Sequence, residues 1–146
     1  RAMSPDEFPS VRDAFVGNVM TEAVETVPAD VTAAEAAARL FESDIGSLLV
    51  REEAGAPEGI ITESDFVELA ARERDPATVT VDDCMRAPVV TVSSTTTLGE
   101  AAELMRDENV KKLPVTGADG DGVVGLVTTT DIAKYLPVHE FHPEER

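Results

Sequence analysis

Two segments of the sequence carry hydroxyl groups and a carboxylate at one spacing, Gly-x-x-Thr-x-[Ser/Thr]-Asp, at residues 59–65 and 125–131. Their polar side chains are Thr62, Ser64, Asp65, Thr128, Thr130 and Asp131. In both segments a short apolar run passes into the start of a predicted helix. A carboxylate in this position accepts both hydrogens of a cis-diol such as a ribose, and the hydroxyls bind a phosphate. One interpretation of the pattern is therefore a binding site for a ribose and a phosphate.

The same spacing also has a purely structural interpretation. Thr-x-x-Asp is a capping box, in which the threonine caps a helix and the aspartate lies at the positive end of that helix. Capping does not require the second hydroxyl, Ser64 or Thr130, nor the preceding glycine, whereas a ligand at a helix N-terminus would use them. The two interpretations are compatible, and both stay open from the sequence.

The elements that position these segments occur twice. Cys84-Met85-Arg86 repeats Val19-Met20-Thr21 at an offset of 65 residues, and the offset becomes 66 at the glycine because the second copy has one inserted residue. Each copy is predicted to have the order β-α-β-β-α, and the fold class is α/β (α+β), with tandem repeats that pack on each other. The predicted elements are strands at 25–27 and 90–92, helices at 32–42 and 97–108, hairpin loops at 52–58 and 117–122, and helices at 63–74 and 129–136.

The repeats also predict the domain organisation. The expected parts are an N-terminal extension (1–15) with a short helix after Pro9, the first copy (16–76), the second copy (77–138) and a polar tail (139–146). The N-terminus lacks the apolar run of a signal peptide, and the sequence contains no stretch of 18 apolar residues, so we expect a cytoplasmic protein without a membrane segment.

Charge is the unusual feature of the composition. The 146 residues include 29 acidic and 12 basic side chains, a net charge of −17. This balance argues against a nucleic-acid partner, because few cations are available to neutralise phosphates. The acidic residues are dispersed, which suggests a solvated surface adapted to high salt and a halophilic, archaeal source. The single cysteine, Cys84, is interpreted as a small buried apolar residue.

Two of the three lysines, Lys111 and Lys112, are adjacent and precede the apolar run Leu113-Pro114-Val115. One interpretation is that they head an edge strand, where lysine discourages aggregation. The other is that they bind an anionic ligand, which needs cations in so acidic a chain. The first copy has Gly46-Ser47 at the matching place, without a cation, so phosphate binding is expected to be asymmetric.

Taken in order, these motifs resemble a tandem pair of CBS motifs, also called a Bateman domain. The resemblance covers about residues 16–137 and is carried by Met20-Thr21, Thr26-Val27, Leu113-Pro114-Val115 and the two Gly-x-x-Thr-x-x-Asp segments. It implies a non-catalytic regulatory and energy-sensing module that binds adenosine-containing ligands (AMP, ADP, ATP, S-adenosylmethionine or NAD) and needs no cofactor. It also implies a homodimer, formed through the helices, and an effector protein that receives the signal. The alanine-rich faces at Ala33 to Ala38 and Ala70-Ala71 are consistent with such a dimer.

The resemblance implies two clefts that each draw residues from both copies. In each cleft an aspartate holds the ribose and a Thr-Val strand contacts the adenine. The first cleft is expected to contain Thr26, Val27, Gly46, Ser47, Lys111, Lys112, Leu126, Thr128, Thr130 and Asp131, and it is expected to take the charged nucleotide. The second is expected to contain Ile60, Thr62, Ser64, Asp65, Thr91, Val92 and Pro114, and it is expected to stay empty or to take a less anionic adenosyl compound.

No catalytic or metal site is predicted. No nucleophile lies near a base, and the loop Gly120-Asp121-Gly122 lacks the glutamate of a calcium loop, so it is interpreted as a hairpin turn. His139 and His142 have no assured third ligand. Two alternatives remain: a relative of inosine monophosphate dehydrogenase without its activity, and a dimerising interaction module whose clefts are vestigial.

Overall fold

The computed structural model describes residues 13–22, 24–51, 56–120 and 122–135. The helix expected after Pro9, the polar tail, His139 and His142 lie outside these residues. The described residues contain six strands and four α-helices, in two three-stranded sheets. They form two compact units, which we call the first-repeat unit (residues 23–90) and the second-repeat unit (residues 1–22 and 91–146). The predicted α/β class and the doubled β-α-β-β-α order are confirmed.

The first-repeat unit is a three-stranded sheet flanked by two helices. Its elements are β1 (Thr26–Val27), α1 (Ala33–Ser43), β2 (Ser47–Val50), β3 (Gly59–Thr62) and α2 (Glu63–Ala71). Strand β2 is central, parallel to β1 and antiparallel to β3. The sequences of β2 and β3 are almost entirely apolar, because both strands are largely buried. Their side chains form the core of the unit with Val27, Ala36, Leu40 and Val81.

The second-repeat unit has the same topology. Its elements are β4 (Val92–Ser93), α3 (Leu98–Glu108), β5 (Lys112–Thr116), β6 (Val123–Thr128) and α4 (Thr129–Tyr135). Strand β5 is central, parallel to β4 and antiparallel to β6. Strand β4 pairs only with Val115 and Thr116, so among the described residues Lys112 is paired with β6 alone. The interpretation that the lysine pair heads an edge strand therefore stays open.

Each unit is completed by a segment that belongs, in sequence, to the start of the other repeat. Residues 16–21 begin the first repeat but lie in the second-repeat unit, where Thr21 and Leu126 exchange backbone hydrogen bonds (both 2.8 Å). Residues 81–86 lie near the start of the second repeat but belong to the first-repeat unit, where Arg86 and Ile60 are paired in the same way (2.8 and 3.1 Å). The Val-Met-Thr and Cys-Met-Arg motifs therefore each pair with the sheet of the other repeat.

Local sequence signals account for most helix boundaries. Thr32 caps α1 by accepting from the Glu35 N–H (3.1 Å), and Thr97 and Glu100 form a reciprocal capping box at α3. Helix α2 is shorter than predicted and ends at Ala71. The backbone of Glu73 is left-handed (φ 54°), and the Arg74 N–H bonds back to the Leu69 carbonyl (3.1 Å), which turns the chain out of the helix.

None of the helices among the described residues is long and apolar enough to cross a membrane. The same residues contain no cluster of three side chains that would hold a metal ion.

Candidate functional site

Asp131 closes a reciprocal hydrogen-bonded loop at the start of α4. The Thr128 N–H donates to Asp131 Oδ2 (3.0 Å), and the Asp131 N–H donates to Thr128 Oγ1 (3.0 Å). The capping interpretation of this segment is therefore correct. Among the described residues nothing donates to Asp131 Oδ1, so half of the carboxylate remains available to accept from a ligand hydroxyl.

The lysine pair lies directly beside this cap. Lys112 is opposite Thr128 in the β5–β6 ladder, and the Thr129 N–H donates to the Lys111 carbonyl (3.0 Å). The Lys111 side chain is exposed and that of Lys112 is half-buried. Backbone pairing in the second-repeat unit thus places Lys111 and Lys112 next to the residues that cap α4, and cations near a carboxylate and hydroxyls are what a phosphorylated sugar would require.

The first-repeat unit has the same backbone arrangement with different side chains. Ser47 is opposite Thr62, and the Glu63 N–H donates to the Gly46 carbonyl (3.3 Å). Neither position carries a charge. Gly46 and Ser47 therefore occupy the structural positions that Lys111 and Lys112 occupy in the second repeat. The sequence predicted this difference in cations.

Asp65 occupies a half-buried position. It accepts from the Thr62 N–H (2.7 Å), and Thr62 Oγ1 lies 2.9 Å from Ser64 Oγ, so the second hydroxyl supports the cap. Burial raises the pKa of Asp65 above its ordinary value, although the hydrogen bonds from Thr62 and the charge of Arg86 act in the opposite direction. Desolvation makes this carboxylate a stronger acceptor for a donor that displaces the remaining water.

The glycine of each segment has a packing role that the sequence did not reveal. A Cβ at Gly125 would lie 2.6 Å from Met20 Sδ and 2.9 Å from the Thr21 carbonyl oxygen, and a Cβ at Gly59 would lie 2.6 Å from Met85 Sδ and 2.8 Å from the Arg86 carbonyl oxygen. The absent side chain makes room for the completing segment of each unit. The glycine therefore does not need a ligand to explain it.

The two units divide the predicted site residues between them. The second-repeat unit contains Lys111, Lys112, Leu126, Thr128, Thr130 and Asp131, together with Thr91, Val92 and Pro114. The first-repeat unit contains Ile60, Thr62, Ser64 and Asp65, together with Thr26, Val27, Gly46 and Ser47. Within each unit the Gly-x-x-Thr-x-x-Asp residues are brought together. Clefts that combine residues of both units stay a prediction.

Comparison with known proteins gives a consistent result. The family model described as "CBS domain" matches this chain twice, at residues 16–72 and 81–138. An uncharacterized protein of Methanopyrus kandleri is 35% identical over 128 residues, which cover 87% of this chain and 65% of that protein. The chain therefore spans about two thirds of this relative.

Two further comparisons bear on function. The solved CBS domain pair of the protein MJ0100, in complex with 5′-methylthioadenosine and S-adenosyl-L-methionine, has a TM-score of 0.73 and 27% identity and covers 83% of this chain and 94% of its own. The inosine-5′-monophosphate dehydrogenase of Nitrosopumilus maritimus is 29% identical over 117 residues, which are 80% of this chain and 23% of that enzyme. The similarity to the enzyme is thus confined to a minor part of it.

Proposed function

Because the chain belongs to the CBS domain family, with two CBS domains at residues 16–72 and 81–138, we propose that it is a non-catalytic regulatory module for adenosine-containing ligands. The charged ligand is AMP, ADP or ATP, and S-adenosylmethionine and NAD are further candidates. A similar CBS pair is bound to two adenosyl compounds, which supports the ligand class. The ligand acts as a regulator, and no resident cofactor is required.

The arrangement around Asp131 carries this proposal. The free Oδ1 of Asp131 accepts hydrogen bonds from the ribose hydroxyls, while Lys111 and Lys112 neutralise the phosphate. The backbone bond from Thr129 to Lys111 fixes the spacing between the two functions. The adenine is contacted by the strand that contains Thr26 and Val27, as the family resemblance implies.

Substitution of the lysines should separate phosphate binding from adenosine binding. By isothermal titration calorimetry we expect the double variant Lys111→Gln/Lys112→Gln to bind AMP at least tenfold more weakly than the wild type, because hydrogen bonds to charged groups contribute about 1.5–3 kcal/mol each. Its affinity for adenosine should be unchanged. Lys134→Gln, which removes one positive charge from the end of α4, is the control for loss of a lysine elsewhere in the unit and should leave both affinities unchanged.

The two aspartates provide the test of asymmetry. Asp131→Asn keeps an acceptor for the Thr128 N–H, so α4 stays capped, but it removes the negative charge that holds the ribose. We expect it to abolish AMP binding, whereas Asp65→Asn should not. If Asp65→Asn abolishes AMP or ATP binding and Asp131→Asn does not, the assignment of the charged nucleotide to Asp131 is wrong.

Regulation follows from unequal binding. A ligand shifts a protein between two conformations or assemblies to the extent that its affinities for them differ. We propose that an effector protein recognises one of these states and that the module acts in the cytoplasm.

Self-association is a second candidate function, favoured by apolar side chains on the surface of the first-repeat unit. Phe41 on α1 is 87% exposed and Val67 on α2 is 69% exposed. The predicted alanine face is partly wrong as a contact surface, since Ala33 and Ala36 point inward and are fully buried, whereas Ala34, Ala38, Ala70 and Ala71 are exposed. Sedimentation analysis at high salt should show a dimer for the wild type and a monomer for Phe41→Glu/Val67→Glu. A monomeric wild type would contradict this proposal.

A further inference from the structure

One edge of the first-repeat sheet presents a backbone acceptor that β2 does not use. Strand β1 is the outer strand of that sheet. The Leu49 N–H donates to the Glu25 carbonyl (3.0 Å), and the Arg51 N–H donates to the Val27 carbonyl (3.1 Å). Because successive carbonyls of a strand alternate in direction, the Thr26 carbonyl, which lies between these two, is directed away from β2. The edge of the sheet at Thr26 therefore presents an oxygen to a group that approaches it.

Arg39 of α1 covers this oxygen. Its Nη2 donates to the Thr26 carbonyl (3.3 Å) and to Glu25 Oε2 (3.0 Å). Both charged side chains are partly exposed, 46% for Arg39 and 40% for Glu25, and exposed ion pairs contribute little to stability. Nη1 and Nε of Arg39 make no hydrogen bond to the described residues, and both carry N–H donors. Glu25 thus holds the guanidinium at the edge of the sheet while part of its donor fork remains available.

The second repeat has the same fold without this ion pair. By the repeat offset, Leu104 of α3 corresponds to Arg39 and Val90 corresponds to Glu25. Both side chains are half-buried, and neither can donate or accept a hydrogen bond. Covering the edge strand is therefore not a requirement of the β-α-β-β-α fold. The two repeats differ in what they present beside this strand: a guanidinium at Thr26, and an aliphatic side chain at the equivalent Thr91.

This difference has a chemical consequence for a purine base. At position six, adenine carries an amino group, which donates, whereas guanine and hypoxanthine carry an oxygen, which accepts. An uncovered carbonyl accepts from the amino group and repels the oxygen. The Arg39 guanidinium instead donates to the oxygen, in a charge-assisted contact. An edge that has both groups takes either base, because the exposed Arg39 side chain can move away from Thr26 when the base is adenine.

We propose that Arg39 extends the ligands of the β1 edge to purines with an oxygen at position six, so that this edge binds inosine and guanosine nucleotides in addition to adenosine nucleotides. The inference rests on the proposed function, in which the strand that contains Thr26 and Val27 contacts the base. It adds the side chain that decides which base this strand accepts. An edge without the guanidinium, as in the second repeat, prefers adenine.

AMP and inosine 5′-monophosphate (IMP) form a matched pair of probes, because they share the ribose and the phosphate and differ in the base edge at position six. By calorimetry on the full chain, we expect the wild type to bind the two nucleotides with affinities within about threefold of each other. Arg39→Leu, which introduces the residue of the second repeat, should bind IMP about tenfold more weakly, because a hydrogen bond from a charged donor is lost. Its affinity for AMP should be unchanged or higher, because the Thr26 carbonyl is then uncovered.

Arg72→Leu is the matched control. Arg72 lies at the end of α2 in the same unit and also forms an exposed ion pair, with its Nε 3.0 Å from Glu68 Oε2. The substitution removes the same charge and the same kind of pair, away from the edge at Thr26. It should leave the affinities for AMP and IMP as they are in the wild type.

The outcomes separate this inference from the proposed function. If the wild type binds AMP more than about tenfold more tightly than IMP, or if Arg39→Leu leaves the IMP affinity unchanged, the role of Arg39 is wrong and the proposed function stands. IMP binding that is lost in Arg39→Leu, without binding of AMP to either protein, would uphold the role of Arg39, and the assignment of adenosine ligands alone would fail. If neither nucleotide binds, both proposals are wrong.

Discussion

Gly59→Ala and Gly125→Ala should each lower the free energy of unfolding by about 1–3 kcal/mol, the usual cost of forcing extra volume into a packed site. A methionine sulfur can move away from the new methyl group, but the carbonyl oxygens of Arg86 and Thr21 cannot, since each belongs to a backbone pair with β3 or β6. The strain therefore falls on the segment that completes the unit. Urea or thermal unfolding measures the loss, and Tm should fall by roughly 2–4 °C for each kcal/mol.

A double variant distinguishes this backbone clash from a simple conflict with the methionine. Met85→Ala removes the sulfur at 2.6 Å but leaves the Arg86 carbonyl oxygen at 2.8 Å. We therefore expect Gly59→Ala to remain destabilising in the Met85→Ala background, although by less than in the wild type. A Gly59→Ala variant as stable as the wild type would show that residues 85–86 are not held tightly against β3.

Leu48→Ala should destabilise the protein by about 2–5 kcal/mol, because it removes a large side chain from the centre of the first-repeat core and leaves a cavity. Leu48 is 1% exposed and lies on the central strand β2, opposite Ile61 of β3. It belongs to the same cluster as Val27 of β1, Leu40 of α1 and Ile61 of β3, so the packing of three elements is affected. Equilibrium denaturation of the wild type and of Leu48→Ala measures the difference in their free energies of unfolding.

Phe41→Ala is the matched control for this prediction. It deletes a larger apolar side chain, but Phe41 is 87% exposed, so its removal should change the stability of the monomeric unit by no more than about 0.5 kcal/mol. Measurement at several protein concentrations separates this change in monomer stability from any effect of dimerisation. If Phe41→Ala were as costly as Leu48→Ala, the burial assigned to the two side chains would be wrong.

The sequence was informative wherever neighbouring residues along the chain interact. Thr32 caps α1, Thr128 and Asp131 cap α4, and the strands near residues 26 and 92 occur close to their predicted positions, because these features depend on contacts within about four residues. The repeat offset also predicted that Lys111 and Lys112 would lack a cationic counterpart in the first copy. Where the local signal was ambiguous, as at the end of α2, the predicted boundary was off by three residues.

By itself, the sequence determined the doubled β-α-β-β-α order, the two Gly-x-x-Thr-x-x-Asp segments and the unequal distribution of cations. Tertiary structure alone decided that Met20 packs on Gly125 and Met85 on Gly59, and that Lys112 lies opposite Thr128 at the start of α4. Residues 20 and 125 are more than a hundred positions apart, and the periodicity of the sequence does not reveal such a contact. The close approach of two backbones at a glycine is settled only when the sheet edge that receives the segment has formed.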